Sequence, residues 1–247
     1  MFKTIACATL LAALSTTLST TANAQHAHSD VDAVIEAGQF VFEGASIIVD
    51  GSGYLINNIG SPLYEAAFGA ELGDPANGTE DPGFAIDDGS FNSGEYLAFE
   101  VINTLSYWDG TTWSASTSGS ESLLITDVLG TTTTVTDALI THSIGLIDQA
   151  DAEGGVHSHL DFEIDLTAAS GAYLLELALL GFSDQALTNQ IASTSDSFYI
   201  AFNYGMDEAL FETGIDALGV SEVPLPATWL LFASGLGSLL LRRRVKA

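Results

Sequence analysis

Val156-His157-Ser158-His159-Leu160-Asp161-Phe162-Glu163-Ile164-Asp165-Leu166 alternates charged or imidazole side chains with apolar ones, Ser158 being the one departure. Successive side chains of a strand point to opposite faces of its sheet. The stretch therefore predicts a single β-strand. One face carries Leu160, Phe162, Ile164 and Leu166 to the core, and the other carries His157, His159, Asp161, Glu163 and Asp165.

The signals on either side are also β. Tyr173 to Leu180 is apolar enough for a central strand, and Phe198 to Asn203 predicts another. Leu123 to Val128 and Thr131 to Thr136 flank a bend at Gly130. Tyr96 to Ile102 reads as a buried strand leading to Leu105-Ser106-Tyr107-Trp108. There Asp109-Gly110 predicts a two-residue type I′ turn, with Thr111-Thr112-Trp113 returning and Trp108 near Trp113 across it. Phe40-Val41-Phe42 and Ile47-Ile48-Val49 are short strand-forming runs, and turn residues dominate 60–94 around strands at Leu63 to Phe68 and Phe84 to Ile86. Only Met206 to Leu218 has helical spacing, with apolar residues at 206, 210, 211, 215 and 218 and Gly219 at its end. The expected fold is mainly β: an antiparallel β-sandwich of around nine or ten strands with one short late helix, or alternatively a β-barrel.

Charge is distributed unevenly. Of the five Lys and Arg, one is Lys3 and four follow Leu241, whereas all 32 Asp and Glu lie between. That central part has a formal charge of −32, from 32 acidic residues against no Lys or Arg. Nucleic acid and anionic lipid are excluded as partners by repulsion. Divalent cations fit such a surface, and so does a role confined to solubility. An apolar content of 47% argues for a folded domain in spite of the charge.

The two ends predict export. Lys3, the apolar run Ile5 to Leu14 and Ala22-Asn23-Ala24 have the form of a signal peptide over 1–24 with cleavage after Ala24. Cys7, the one cysteine, falls inside it, so an exported domain over 25–222 has neither disulfide nor Cys-ligated metal. Over 223–247, Val223-Pro224-Leu225-Pro226-Ala227 precedes an apolar run from Trp229 to Leu241 and the cluster Arg242-Arg243-Arg244. Ala227 to Leu241 as a helix is about 22 Å long, a short membrane span, and the arginines hold its far end on the cytoplasmic side. This tail resembles the sorting tail of PEP-CTERM proteins, in its Val-Pro-Leu-Pro-Ala variant. The resemblance implies an exosortase-type membrane peptidase as partner, a membrane tether before sorting, and an exopolysaccharide matrix as surroundings. Leu225 stands where the commoner form has Glu.

The candidate chemistry lies in the histidines. Four of the five sit in two pairs of one form, His26-Ala27-His28-Ser29-Asp30 and His157-Ser158-His159-Leu160-Asp161. Two imidazoles at this spacing on a strand reach one ion, and Asp161 or Glu163 is then a third ligand or orients a ring. Without cysteine, such a set favours zinc, then copper or nickel among divalent cations. His26 and His28, on an N-terminal arm, either close onto the strand pair, act alone or do nothing; His142 has no neighbouring ligand and reads as structural. The same pattern also fits a polar strand face that holds no ion. The His-x-His-x-Asp segments, the Tyr107-Trp108-Asp109-Gly110 hairpin and the Phe198-Tyr199-Ile200 strand before an acidic helix are similar to PEP-CTERM proteins repressed by the zinc-uptake regulator. That resemblance implies a role when zinc is scarce.

A metal-dependent hydrolase is a competing reading, because His-x-His-x-Asp is similar to the metal motif of metallo-β-lactamases. Its closing His is replaced by Val31 and Phe162. No His-Glu-x-x-His, Gly-x-Ser-x-Gly or P-loop occurs, and no Lys or Arg between Lys3 and Arg242 is there to stabilise a developing anion. A structural or carbohydrate-binding matrix protein is the third reading, with Trp108 and Trp113 as a sugar platform or else as core. The expectation that follows is an exported cell-envelope protein that binds zinc or another divalent metal without catalysis.

Overall fold

A computed structural model of the protein describes residues 30–42, 55–56, 61–70, 74–114 and 121–218. The expected signal peptide, His26, His28, the Ile47-Ile48-Val49 run and the tail over 223–247 lie outside the described residues. Among the described residues no helix is long and apolar enough to cross a membrane.

In chain order the first strands are β1 (Val31–Glu36), β2 (Gln39–Phe42), β3 (Leu55–Ile56), β4 (Pro62–Ala67), β5 (Gly78–Thr79) and β6 (Phe84–Ile86). Next come β7 (Tyr96–Val101), β8 (Ser106–Trp108), β9 (Trp113–Ser114), β10 (Leu123–Thr126), β11 (Thr132–Val135) and β12 (Ile140–Thr141). The last are β13 (Ile144–Gln149), β14 (Val156–Ser158), β15 (Asp161–Ile164), β16 (Gly171–Phe182), β17 (Phe198–Tyr204) and helix α1 (Glu208–Leu218). The mainly β class with one late helix is observed. The strands outnumber the nine or ten expected because several are only two or three residues long.

They form three sheets, in the orders β14-β6-β1-β2, β12-β11-β10-β15-β5 and β13-β7-β16-β17-β4-β3, with β8 and β9 attached to the last through β16. None closes into a barrel, since each described order has two free ends. The sheets are also not wholly antiparallel. β1 runs parallel to β6, and β17 parallel to β4. Parallel neighbours need a long crossover, and both pairs join strands far apart in the chain.

β16 shows why the large sheet is central. All twelve of its residues are buried. Tyr173, Leu175, Leu177 and Leu179 face the main core, while Ala172 and Leu174 face the opposite side. The two smaller sheets pack on the main-core face. Phe162 of β15 meets Phe202 of β17 at 5.1 Å between ring centres, and Phe84 of β6 meets Phe198 at 6.5 Å. On the other face, Phe211 and Ile215 of α1 cover Trp108, Ala172, Leu174 and Ala201. Asp207 starts that helix, its side chain accepting a hydrogen bond from the Ala209 amide at 3.1 Å.

The single strand expected over Val156 to Leu166 is two strands in two sheets. β14 pairs with β6, whereas β15 pairs with β10 and β5. His159 and Leu160 make the passage between them. The alternation survives the break, with Leu160, Phe162 and Ile164 all buried. Leu166 does not reach the core and is 72% exposed. Its strand stops at Ile164, and the Asp165 carboxylate accepts hydrogen bonds from the Thr167 amide and hydroxyl, both at 2.7 Å, turning the chain away.

The Asp109-Gly110 hairpin also differs. Trp108 pairs with Trp113, so four residues lie between the paired positions rather than two. Gly110 has a positive φ of 98° and Asp109 does not, which rules out the type I′ turn. The Asp109 carboxylate instead accepts from the Thr111 amide and hydroxyl and the Thr112 amide. Those bonds, the Thr111 hydroxyl first, hold its carboxyl below the usual range.

Candidate metal site

Two segments pass side by side from the five-stranded to the four-stranded sheet. One is β5 to β6 through Glu80-Asp81-Pro82-Gly83; the other is β15 back to β14 through Leu160 and His159. Proline has no amide to leave unpaired in such a passage, and the Asp81–Pro82 bond is cis. A third segment arrives at the same corner. The Val31 amide donates to the Gly83 carbonyl at 2.8 Å, which starts the parallel pairing of β1 with β6 and sets Asp30 beside the crossing.

Asp30, His157 and His159 thereby converge, each offering one ligand atom and all three atoms lying within 4.8 Å of one another. The two imidazole centres are 5.6 Å apart. Nε2–H of His157 donates to Asp30 Oδ2 at 3.0 Å, bridging 127 positions of sequence. His157 is 68% exposed, so its ring has freedom to turn toward a shared ion. His159 is more firmly held. Its Nδ1 lies 3.0 Å from the Glu80 carbonyl, which can only accept, so Nδ1 carries the proton and Nε2 presents its lone pair. The Asp81 carboxylate stands 3.9 Å from the same Nδ1. A ligating imidazole commonly has its second nitrogen fixed by a carbonyl or carboxylate in this way.

The donor set suits an ion. Zinc takes imidazole nitrogen and carboxylate oxygen at about 2.0–2.2 Å, so its ligand atoms lie at most about 4.4 Å apart, and a modest turn of His157 achieves that. His157 then carries its proton on Nδ1 instead of Nε2, with no net change of charge. Three protein ligands leave further coordination positions to solvent or another donor.

The other sites expected from sequence fall elsewhere. Asp161 and Glu163 are on β15, exposed, and paired opposite Thr126 and Leu124 in the five-stranded sheet. They are not members of the group, because the chain has left the four-stranded sheet before reaching them. Asp165 serves its own turn. His142 is exposed at a bend with φ of 49°, its Nδ1 3.3 Å from the Thr132 carbonyl. Trp108 is 3% exposed and packs at 5.8 Å between ring centres, tilted by 43°, on the half-buried Trp113, whose Nε1–H donates to the Gly214 carbonyl of α1 at 2.7 Å. Trp108 belongs to the core beneath α1, and Trp113 packs against it partly buried. Asp30 is the residue that sequence reasoning passed over as a ligand. The signal was present in the apolar residues Val31, Ala33 and Ile35, which mark a strand beginning directly after it.

No family model and no curated protein matches the chain. Fold and site define a mainly β protein bearing a His–His–Asp group able to hold a metal ion.

Proposed function

We propose that the protein is exported to the cell envelope and binds zinc, or a similar divalent metal, as a non-catalytic metal-binding protein. The observation that carries the metal reading is the convergence of Asp30 with His157 and His159 from two segments far apart in the chain. Two imidazoles with one carboxylate favour zinc, copper or nickel over calcium, which prefers oxygen alone. The formal charge of −27 makes a cation welcome, and the lack of Lys or Arg between Lys3 and Arg242 leaves no cation to stabilise a developing anion in catalysis. The export reading draws on the signal-like residues 1–24 and on the sorting-like tail, in which Val223-Pro224-Leu225-Pro226-Ala227 would meet an exosortase-type peptidase and Arg242, Arg243 and Arg244 would stop transfer. Release to a polysaccharide matrix belongs to the same reading.

Zinc at one hundred times Kd should stabilise the fold by about 2.7 kcal/mol. For a domain of this size that raises the melting temperature by about 5–10 °C. Calcium should not reproduce the histidine-dependent part. A melting temperature that zinc leaves unchanged would contradict the metal reading. His26→Ala with His28→Ala should weaken binding by less than loss of the strand pair does. For topology, a reporter fused after Leu218 should be active outside the cytoplasmic membrane; activity only in the cytoplasm would refute export.

A further inference from the structure

We infer that Gly83 keeps the site open to a metal ion, since its missing side chain leaves the space the ion would occupy; the inference rests on the metal-binding reading above. A Cβ built on Gly83 would lie 2.7 Å from Asp30 Oδ1 and 2.7 Å from both Cε1 and Nε2 of His159. The same point therefore touches a carboxylate oxygen and the imidazole nitrogen whose lone pair is free. Backbone conformation does not explain the glycine. Gly83 is not among the glycines with positive φ, such as Gly38, Gly89 and Gly130, around which nothing comes within 4 Å of an added Cβ. Gly83 is instead a position any residue could adopt and where only glycine keeps the gap between two ligand atoms clear.

Its neighbours set the remaining geometry. The Gly83 carbonyl holds the Val31 amide and so the backbone beside Asp30, while the Glu80 carbonyl fixes the tautomer of His159. One short crossing thus positions two ligands and leaves the room between them. Gly83 acts through this space and contributes no ligand atom of its own.

The test is zinc titration by calorimetry of the purified full-length chain, with melting followed in EDTA. Gly83→Ala should weaken zinc about 10–100-fold, the range seen when residues supporting metal ligands are changed. In EDTA any loss of melting temperature in Gly83→Ala should be restored by adding Asp30→Ala and His159→Ala, because the three atoms nearest the added Cβ belong to those side chains. If the parent binds zinc through His157 and His159 and Gly83→Ala binds equally tightly, the Gly83 inference is wrong while the metal site stands. If the triple variant melts no higher than Gly83→Ala, backbone packing requires the glycine and the inference also fails. If His157→Ala with His159→Ala leaves zinc binding intact, the metal reading falls and takes the inference with it.

Discussion

Gly83 and Gly214 both lie where an added Cβ would crowd a neighbouring side chain, and the two places are used in opposite ways. At Gly214 the indole of Trp108 fills the gap, with Cδ1 at 3.0 Å from the added Cβ, and helix α1 closes over it. At Gly83 the neighbours are ligand atoms of Asp30 and His159, and the rings of His157 and His159 face solvent. Sequence patterning marks both regions as candidate binding places. Their exposure separates them, one being core and the other an exposed group able to hold an ion.

Substitutions should divide the same way. Trp108→Ala is expected to cost the most, about 3–5 kcal/mol for a buried aromatic, measured by denaturant unfolding. The zinc-induced gain in melting temperature should survive in it. Loss of polysaccharide binding with unchanged melting would reverse the assignment of the tryptophans. His157→Ala with His159→Ala should do the converse: zinc stabilisation of about 2.7 kcal/mol disappears, while stability in EDTA changes by only about 0.5 kcal/mol, as at other exposed positions. Trp113→Phe removes the hydrogen bond to the Gly214 carbonyl but keeps an aromatic ring against Trp108, so about 1 kcal/mol should be lost with no effect on zinc.

The smallest expected effect concerns acid. Hydrogen bonds from the Thr167 hydroxyl and amide hold the Asp165 carboxyl below the usual range. A folded pKa below the unfolded value gives stability that is present above the unfolded pKa, near 4, and is lost as pH falls through the folded value. Asp165→Asn should therefore flatten the acid limb of a melting-temperature profile slightly, relative to the parent. A steeper limb in the variant would contradict the assignment.

What the sequence disclosed and what it hid have one cause. Apolar periodicity reports which way a side chain faces. It made β16, β17, β6 and α1 legible and placed Leu160, Phe162 and Ile164 correctly inside. It does not report which sheet a residue belongs to. The alternation from Val156 to Ile164, with Ser158 its one departure, continues while the chain leaves β6 for β10 and β5, so Asp161 and Glu163 looked like neighbours of the histidines. The carboxylate that the fold sets beside the histidines comes from the parallel pairing of β1 with β6, a long-range contact with no local signature. The Asp109 turn shows a related limit, for Asp-Gly fits several turns and the threonine hydrogen bonds decided among them. The paired histidines were readable because their spacing is local; the aspartate that joins them was not.

That substitution of one carboxylate for another gives the most direct test. Zinc affinity should be measured by calorimetry for Asp30→Ala and for Asp161→Ala with Glu163→Ala, side by side with the parent. Weaker binding is expected in Asp30→Ala, and parental affinity in the Asp161 and Glu163 variant. Unchanged affinity in Asp30→Ala, with loss in the other, would show that the ion sits along the β14–β15 run and not at the corner built over Gly83.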